Sequence, residues 1–257
     1  MNLEEREEQG HRAINDFVAQ SCVFILPGGG PPPAPEIGSG TILTTPNGRM
    51  VVLTAKHVAL DARTRKYSLG YYKCLNVISD FVAAVIVNPG DVDVALLLVK
   101  QQLTASLGFI AAKTSNIPRA AFEIRPGDVL VVNGFPYQAS YFRDKEAEQG
   151  FNVLTYWCHD GAPARDSHGR YRIPWRDFPG SEADVDLGSL SPGGMSGGPL
   201  WSFRRPPSNA VWSPGLIGSI VGVQSAWDTG DTLFIEPIDR WGGWFHEAIQ
   251  QIDEHSD

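Results

Sequence analysis

The sequence predicts an all-β protein closed by a helix at each end. Three observations carry this. The 257 residues include 27 Gly and 19 Pro, spread along the chain, so turns are frequent and strands short. Apolar, β-branched runs recur between those turn signals. Helical periodicity is confined to the two termini, which sets aside alternating α/β architectures.

Taken in order, residues 2–21 read as a helix, with Ile14, Phe17 and Val18 at helical spacing among polar neighbours. A strand over 22–26 ends at Gly28-Gly29-Gly30-Pro31-Pro32-Pro33, which can be neither helix nor central strand. Strands at 40–44 and 50–54 flank Pro46-Asn47-Gly48, a hairpin signal. Runs at 77–87 and 92–99 are separated by Asn88-Pro89-Gly90, and a strand at 128–133 is ended by Gly134-Phe135-Pro136. From 141 to 186 the chain is irregular, with two short strands expected near 151–158 and 171–173. Strands at 216–223 and 232–236 follow. Residues 239–252 read as a helix whose apolar face is Trp241, Trp244, Phe245, Ala248 and Ile252.

Composition narrows the function classes. Hydrophobic residues make up 42% of the chain, enough to bury a core without staples. With 21 Lys and Arg against 29 Asp and Glu, the net charge of −8 argues against nucleic acid as a partner. The run Glu4-Glu5-Arg6-Glu7-Glu8 reads as a solvated helix face. No signal-peptide pattern opens the chain, and no stretch approaches the roughly 18 apolar residues of a membrane span. Cys22, Cys74 and Cys158 are too few and too widely spaced for a disulfide framework. They are expected to be reduced, buried thiols of a cytoplasmic protein.

Three segments carry chemistry. Ser196 lies in Gly193-Gly194-Met195-Ser196-Gly197-Gly198-Pro199. A serine hydroxyl needs a base to become a nucleophile, and flanking glycines allow a tight turn that can aim N–H groups at an oxyanion. His57 ends the apolar run Val51-Val52-Leu53-Thr54-Ala55-Lys56, and histidine suits general-base work near neutral pH. Asp93 opens Val94-Ala95-Leu96-Leu97-Leu98, and a carboxylate beside such a strand needs donors, of which an imidazole Nδ1–H is one. Taken singly, each has an ordinary structural explanation: a glycine-rich turn, a satisfied histidine, and turn chemistry after Pro89-Gly90.

Together the segments resemble the three signature blocks of the trypsin-like (chymotrypsin-fold) serine peptidases, in that family's order of His, Asp and Ser. Thr54-Ala55-Lys56-His57 is similar to its Thr-Ala-Ala-His block, and Asp93-Val94-Ala95-Leu96-Leu97 to its Asp-Ile-Ala-Leu-Leu block. Gly194-Met195-Ser196-Gly197-Gly198-Pro199 is similar to its Gly-Asp-Ser-Gly-Gly-Pro block. His57 and Asp93 are 36 residues apart, and Asp93 and Ser196 are 103 apart. Gly38-Ser39-Gly40-Thr41, Val131-Val132-Asn133-Gly134-Phe135-Pro136 and Val221-Gly222-Val223-Gln224-Ser225-Ala226 extend the likeness over residues 37–239, closest to HtrA-like and bacterial intracellular branches. Met195 departs from the aspartate or asparagine usual before the nucleophile. The family's disulfides are absent, and no PDZ domain is expected after residue 226.

The resemblance implies two six-stranded antiparallel β-barrels, chymotrypsin-like, with N- and C-terminal helices. The expected organisation is a helical segment over 1–21, a peptidase domain over 22–238 and a helix over 239–257. Its barrels would lie at about 22–115 and 120–238. It also implies a serine endopeptidase without metal or cofactor, acting on protein or peptide. His57, Asp93 and Ser196 would form the triad, and the N–H groups of Gly194 and Ser196 the oxyanion hole. The six histidines show no paired metal-ligand spacing. Leu190, six residues before the nucleophile, is the candidate pocket base, with Gln224 and Ser225 as further pocket candidates. Asp91 is the rival for the acid, since two residues along a strand share a face. Met195 cannot make the ion pair of zymogen activation, so the oxyanion loop must be held by packing and main-chain hydrogen bonds, or be ordered by substrate or a regulatory protein partner. A catalytically silent binding module on the same fold is the alternative function.

Overall fold

A computed structural model describes residues 3–27, 38–61, 67–71, 78–100, 111–119, 122–136, 141–142, 149–150, 153–158, 162–175, 191–204, 212–228 and 232–254. Helix α1 (Leu3–Ser21) runs directly into β1 (Cys22–Pro27). The first sheet adds β2 (Gly38–Thr44), β3 (Met50–Thr54), β4 (Tyr67–Tyr71), β5 (Ile78–Ser79), β6 (Val82–Val87), β7 (Ala95–Val99) and β8 (Ala112–Lys113). The short helix α2 (Lys56–Asp61) follows β3. The strand order is β5-β4-β1-β2-β3-β7-β6, antiparallel throughout, with β8 pairing parallel on β2.

The second sheet takes β9 (Val129–Gly134), β12 (Leu154–Cys158), β13 (Tyr171–Pro174), β14 (Pro199–Phe203), β15 (Gly218–Asp228) and β16 (Thr232–Pro237). Its order is β12-β9-β14-β15-β16-β13, again antiparallel. A separate pair joins β10 (Tyr141–Phe142) to β11 (Gln149–Gly150). Helix α3 (Pro214–Ile217) precedes β15, and α4 (Ile238–Glu254) follows β16 directly. Two antiparallel sheets with helices at the ends are the double-barrel architecture that the sequence predicts. The first sheet has eight strands among the described residues, not six.

Strand alternation explains why the sheets come together. In β2, β3 and β7 hardly any residue is exposed, and successive side chains enter different cores. Ile42, Val52, Ala95 and Leu97 pack with Phe81 and Ala59 of α2 inside the first sheet. Leu43, Val51, Leu53 and Leu96 face the other way. There they join Leu130, Val132, Leu200 and Val223 of the second sheet, Val18 of α1, and Trp241 and Phe245 of α4. The chain therefore builds one core within the first sheet and another that spans both.

Several local expectations are corrected. The run at 77–87 is broken at Asp80, whose φ of 56° is a left-handed turn conformation that ends one strand and starts the next. The run at 92–99 is a strand only from Ala95, because Val94 N–H turns back to Val92 C=O. Leu216 and Ile217 belong to a helical turn initiated by Pro214, not to a strand. Cys22 is buried without a disulfide, and burial pushes its thiol far above the ordinary range. Cys74, Leu190 and the glycine–proline loop at 28–33 lie outside the described residues, as does the Cys158 side chain. No helix of the described residues is long and apolar enough to cross a membrane.

Candidate active site

The site forms where the first sheet meets the turn carrying Ser196. Strand β3 ends at Thr54, and α2 begins two residues later, so His57 stands in the first turn of a helix and not at a strand end as the sequence suggests. Lys56 reaches sideways. Its Nζ donates to Asn88 C=O at 3.1 Å and to Gly90 C=O at 2.8 Å, tying α2 to the turn that leads into Asp93.

Asp93 receives His57 twice. The His57 main-chain N–H donates to Oδ1 at 2.9 Å, and Nδ1 lies 2.7 Å from Oδ2. Both carboxylate oxygens are thereby occupied, which fixes the imidazole plane. A proton on Nδ1 satisfies the carboxylate and leaves Nε2 as the acceptor. The His57 side chain is 51% exposed and that of Asp93 25%, so the ring stands at an open surface while its partner is recessed.

Asp91 is not equivalent. Residues 91–94 form a turn, so the shared-face rule for strands does not apply. The Asp91 side chain is 90% exposed and meets Arg240 at 3.3 Å. Of the two aspartates, the structure brings Asp93 to His57.

The serine loop is seated on the same strand end. Ser39, on β2, is buried and holds the loop at several points. Its N–H donates to Ser196 C=O at 2.7 Å, and its Oγ donates to Gly194 C=O at 2.8 Å while accepting Phe135 N–H at 2.8 Å. Its own C=O accepts Thr54 Oγ1 at 2.7 Å. Gly197 has a φ of 92°, and a Cβ there would lie 2.1 Å from Ser39 O and 2.2 Å from Thr54 Oγ1. That closeness puts the residue after Ser196 against Thr54 and Ala55, two to three residues from His57. On the far side, Gly197 N–H donates to Gln224 C=O at 2.7 Å, and Gln224 N–H to Gly198 C=O at 2.8 Å.

Met195 is fully buried, with its N–H on Pro192 C=O and its C=O accepting Gly198 N–H. The turn is thus held by packing, by main-chain bonds and by the Ser39 hydroxyl. The N–H groups of Gly194 and Ser196 have no hydrogen-bond acceptor among the described residues. Gln224 has no exposed surface, its Nε2 bonding Ala226 C=O, and Ser225 is buried with Oγ on Phe234 C=O. Leu190 lies outside the described residues.

Sequence reasoning missed Ser39, Lys56 and Glu236. A serine between two glycines says little about partners more than 150 residues away. Glu236 did carry a signal: a lone acid ending the apolar run Leu233-Phe234-Ile235 needs a donor, which the structure supplies in Arg240.

No family model matches the sequence, and no curated protein does. Solved structures do match. The serine endoprotease of Yersinia pestis superposes with a TM-score of 0.54 at 16% identity, over 93% of this chain and 66% of that one. A thermostable serine protease from an extremophilic microorganism gives 0.51 at 15% identity, over 88% of this chain and 97% of that one. The chain therefore spans just under two thirds of the length of the Yersinia protein. Its fold is that of the trypsin-like serine proteases.

Proposed function

We propose that the protein is a serine endopeptidase whose triad is His57, Asp93 and Ser196. The observation that carries the reading is the doubly hydrogen-bonded His57–Asp93 pair beside a serine turn seated on the same strand end. In this reading Ser196 Oγ attacks the scissile carbonyl, and His57 Nε2 takes its proton and passes it to the leaving amine. Asp93 holds the tautomer and stabilises the imidazolium. The unengaged N–H groups of Gly194 and Ser196 receive the oxyanion, and one such donor is worth about 10²–10³ in rate. Main-chain tethers to Ser39 and Gln224 keep that hole formed without a charged residue at 195. The compartment proposed is the cytoplasm, with protein or peptide as substrate and no cofactor.

By the same resemblance, Leu190 forms the base of the pocket for the side chain before the cut. A leucine offers no carboxylate to Arg or Lys, so cleavage after small or medium apolar residues follows. A peptide library reads this directly, and dominant cleavage after Arg or Lys would contradict it. The activity itself is tested with Ser196→Ala and His57→Ala. Each abolishes hydrolysis of an unfolded protein substrate while leaving the melting temperature within about 2 °C of the parent, a surface-scale change. Retained hydrolysis in Ser196→Ala would place the nucleophile elsewhere.

A further inference from the structure

Two consecutive residues of α2 fasten one turn. Residues 88–94 join β6 to β7 and carry Asp93. Main-chain bonds close this turn at its base, where Asn88 N–H bonds Val94 C=O at 3.1 Å and Val94 N–H bonds Val92 C=O at 3.0 Å. Its first half is short of donors. Pro89 has no N–H, and Gly90 passes through a φ of 90°. Among the described residues, no main-chain N–H reaches the carbonyls of Asn88 and Gly90.

Lys56 Nζ supplies both carbonyls, at 3.1 Å and 2.8 Å. An ammonium has three donors and no acceptor, so one side chain can serve two converging carbonyls. The next residue, His57, holds the other half of the turn through Asp93, with its N–H on Oδ1 at 2.9 Å and Nδ1 at 2.7 Å from Oδ2. The His57 bonds fix the carboxylate to the imidazole only while the main chain beneath Asp93 stays in place. Lys56 fixes that main chain from the same helical turn, so α2 and the Asp93 turn move as one body. From the other side, Arg240 meets the turn at Asp91, 3.3 Å away, on an exposed carboxylate where an ion pair holds little.

A lysine kept for solubility alone runs its ammonium out to water. Lys56 is half-buried and spends two of its three donors on main-chain carbonyls. The resembled Thr-Ala-Ala-His block has an alanine at this place, which could reach neither carbonyl. We propose that Lys56 is a positioning residue that locks the Asp93 turn to α2 and so holds the His57–Asp93 pair in its working geometry. This role rests on the triad reading above.

The test uses the 257-residue chain with Lys56→Met, which keeps the stem and removes the donors, and Lys56→Gln, which is too short to reach the carbonyls. The deciding readout is the tautomer of neutral His57, read by NMR from its two ring nitrogens and assigned by loss of the signals in His57→Asn. The parent carries the proton on Nδ1, towards Asp93. In each Lys56 variant the ring becomes a mixture of Nδ1–H and Nε2–H forms. Fluorophosphonate labelling of the variants slows about tenfold at the plateau of the pH profile, where His57 is already neutral. A folded variant whose His57 keeps the parental tautomer overturns the role of Lys56, whatever its stability, and either variant suffices. If the parent is never labelled while the tautomer still shifts, the positioning role stands and the hydrolase reading falls. If the parent is labelled and the tautomer does not shift, only the role of Lys56 falls. A parent ring protonated on Nε2 overturns both.

Discussion

Ser39 is the residue on which the nucleophile turn hangs. Its hydroxyl joins Gly194 C=O to Phe135 N–H, and no apolar side chain can replace either bond. Ser39→Ala leaves the buried Phe135 N–H and the half-buried Gly194 C=O unpaired, a cost of about 1–3 kcal/mol. Denaturant unfolding is expected to register that loss, and fluorophosphonate labelling to slow with it. Labelling at the parental rate would mean that the turn is held without this hydroxyl. Glu236 gives a pH signature. Burial raises its carboxyl above the ordinary value, against the pull of Arg240 and Arg170. The folded state then binds this proton more tightly than the unfolded chain. The stability it contributes is present below the ordinary glutamate pKa and is lost as pH rises through the folded value. Glu236→Gln therefore gains on the parent between pH 4 and pH 7 in melting temperature, and the reverse trend would contradict the assignment. His57 and Asp93 were legible because each sits in a short, distinctive run. Glu236 was legible only as an acid in need of a donor, because that donor, Arg240, comes from the helix that follows its strand.

At the scale of elements, the helices seal the core that both sheets share. Phe245 of α4 is fully buried, edge-on to Trp241 at 6.0 Å between ring centres. Phe245→Ala is expected to cost about 3–5 kcal/mol. Urea unfolding checks it: the midpoint falls with an unchanged slope if the fold is otherwise intact. At the other end, α1 is stitched in by Asn133 Nδ2 on Val18 C=O at 2.9 Å, Trp157 Nε1 on Asn15 Oδ1 at 3.0 Å, and Phe17 edge-on to Trp201. Both helices were readable from their spacing, since amphipathic period is a local property. The strand breaks were not. Asp80 sits between apolar runs, and only its backbone conformation divides them. The turn at Val92–Val94 looks like strand by composition, yet it is what turns Asp93 towards His57 and Asp91 away. The helix carrying His57 is six residues long, too short to show a period.

For the whole molecule, the account makes the site a junction. His57 and Asp93 come from the first-sheet half, Ser196 from the turn entering the other, and Ser39 ties the two together while Lys56 braces the first side and Gln224 the second. Cross-links of this kind leave no trace in local pattern, which is why the architecture and the three site segments could be read from sequence and their fastening could not. The central claim is that Ser196 is an activated nucleophile in the uncleaved 257-residue chain. Reaction of that protein with a fluorophosphonate at neutral pH, followed by peptide mass mapping, tests it most directly. The account predicts one stoichiometric adduct, on Ser196, with Met1 still present and with no adduct in Ser196→Ala or His57→Ala. A folded, uncleaved protein that takes no label, or a Ser196→Ala protein that labels as fast as the parent, would contradict it.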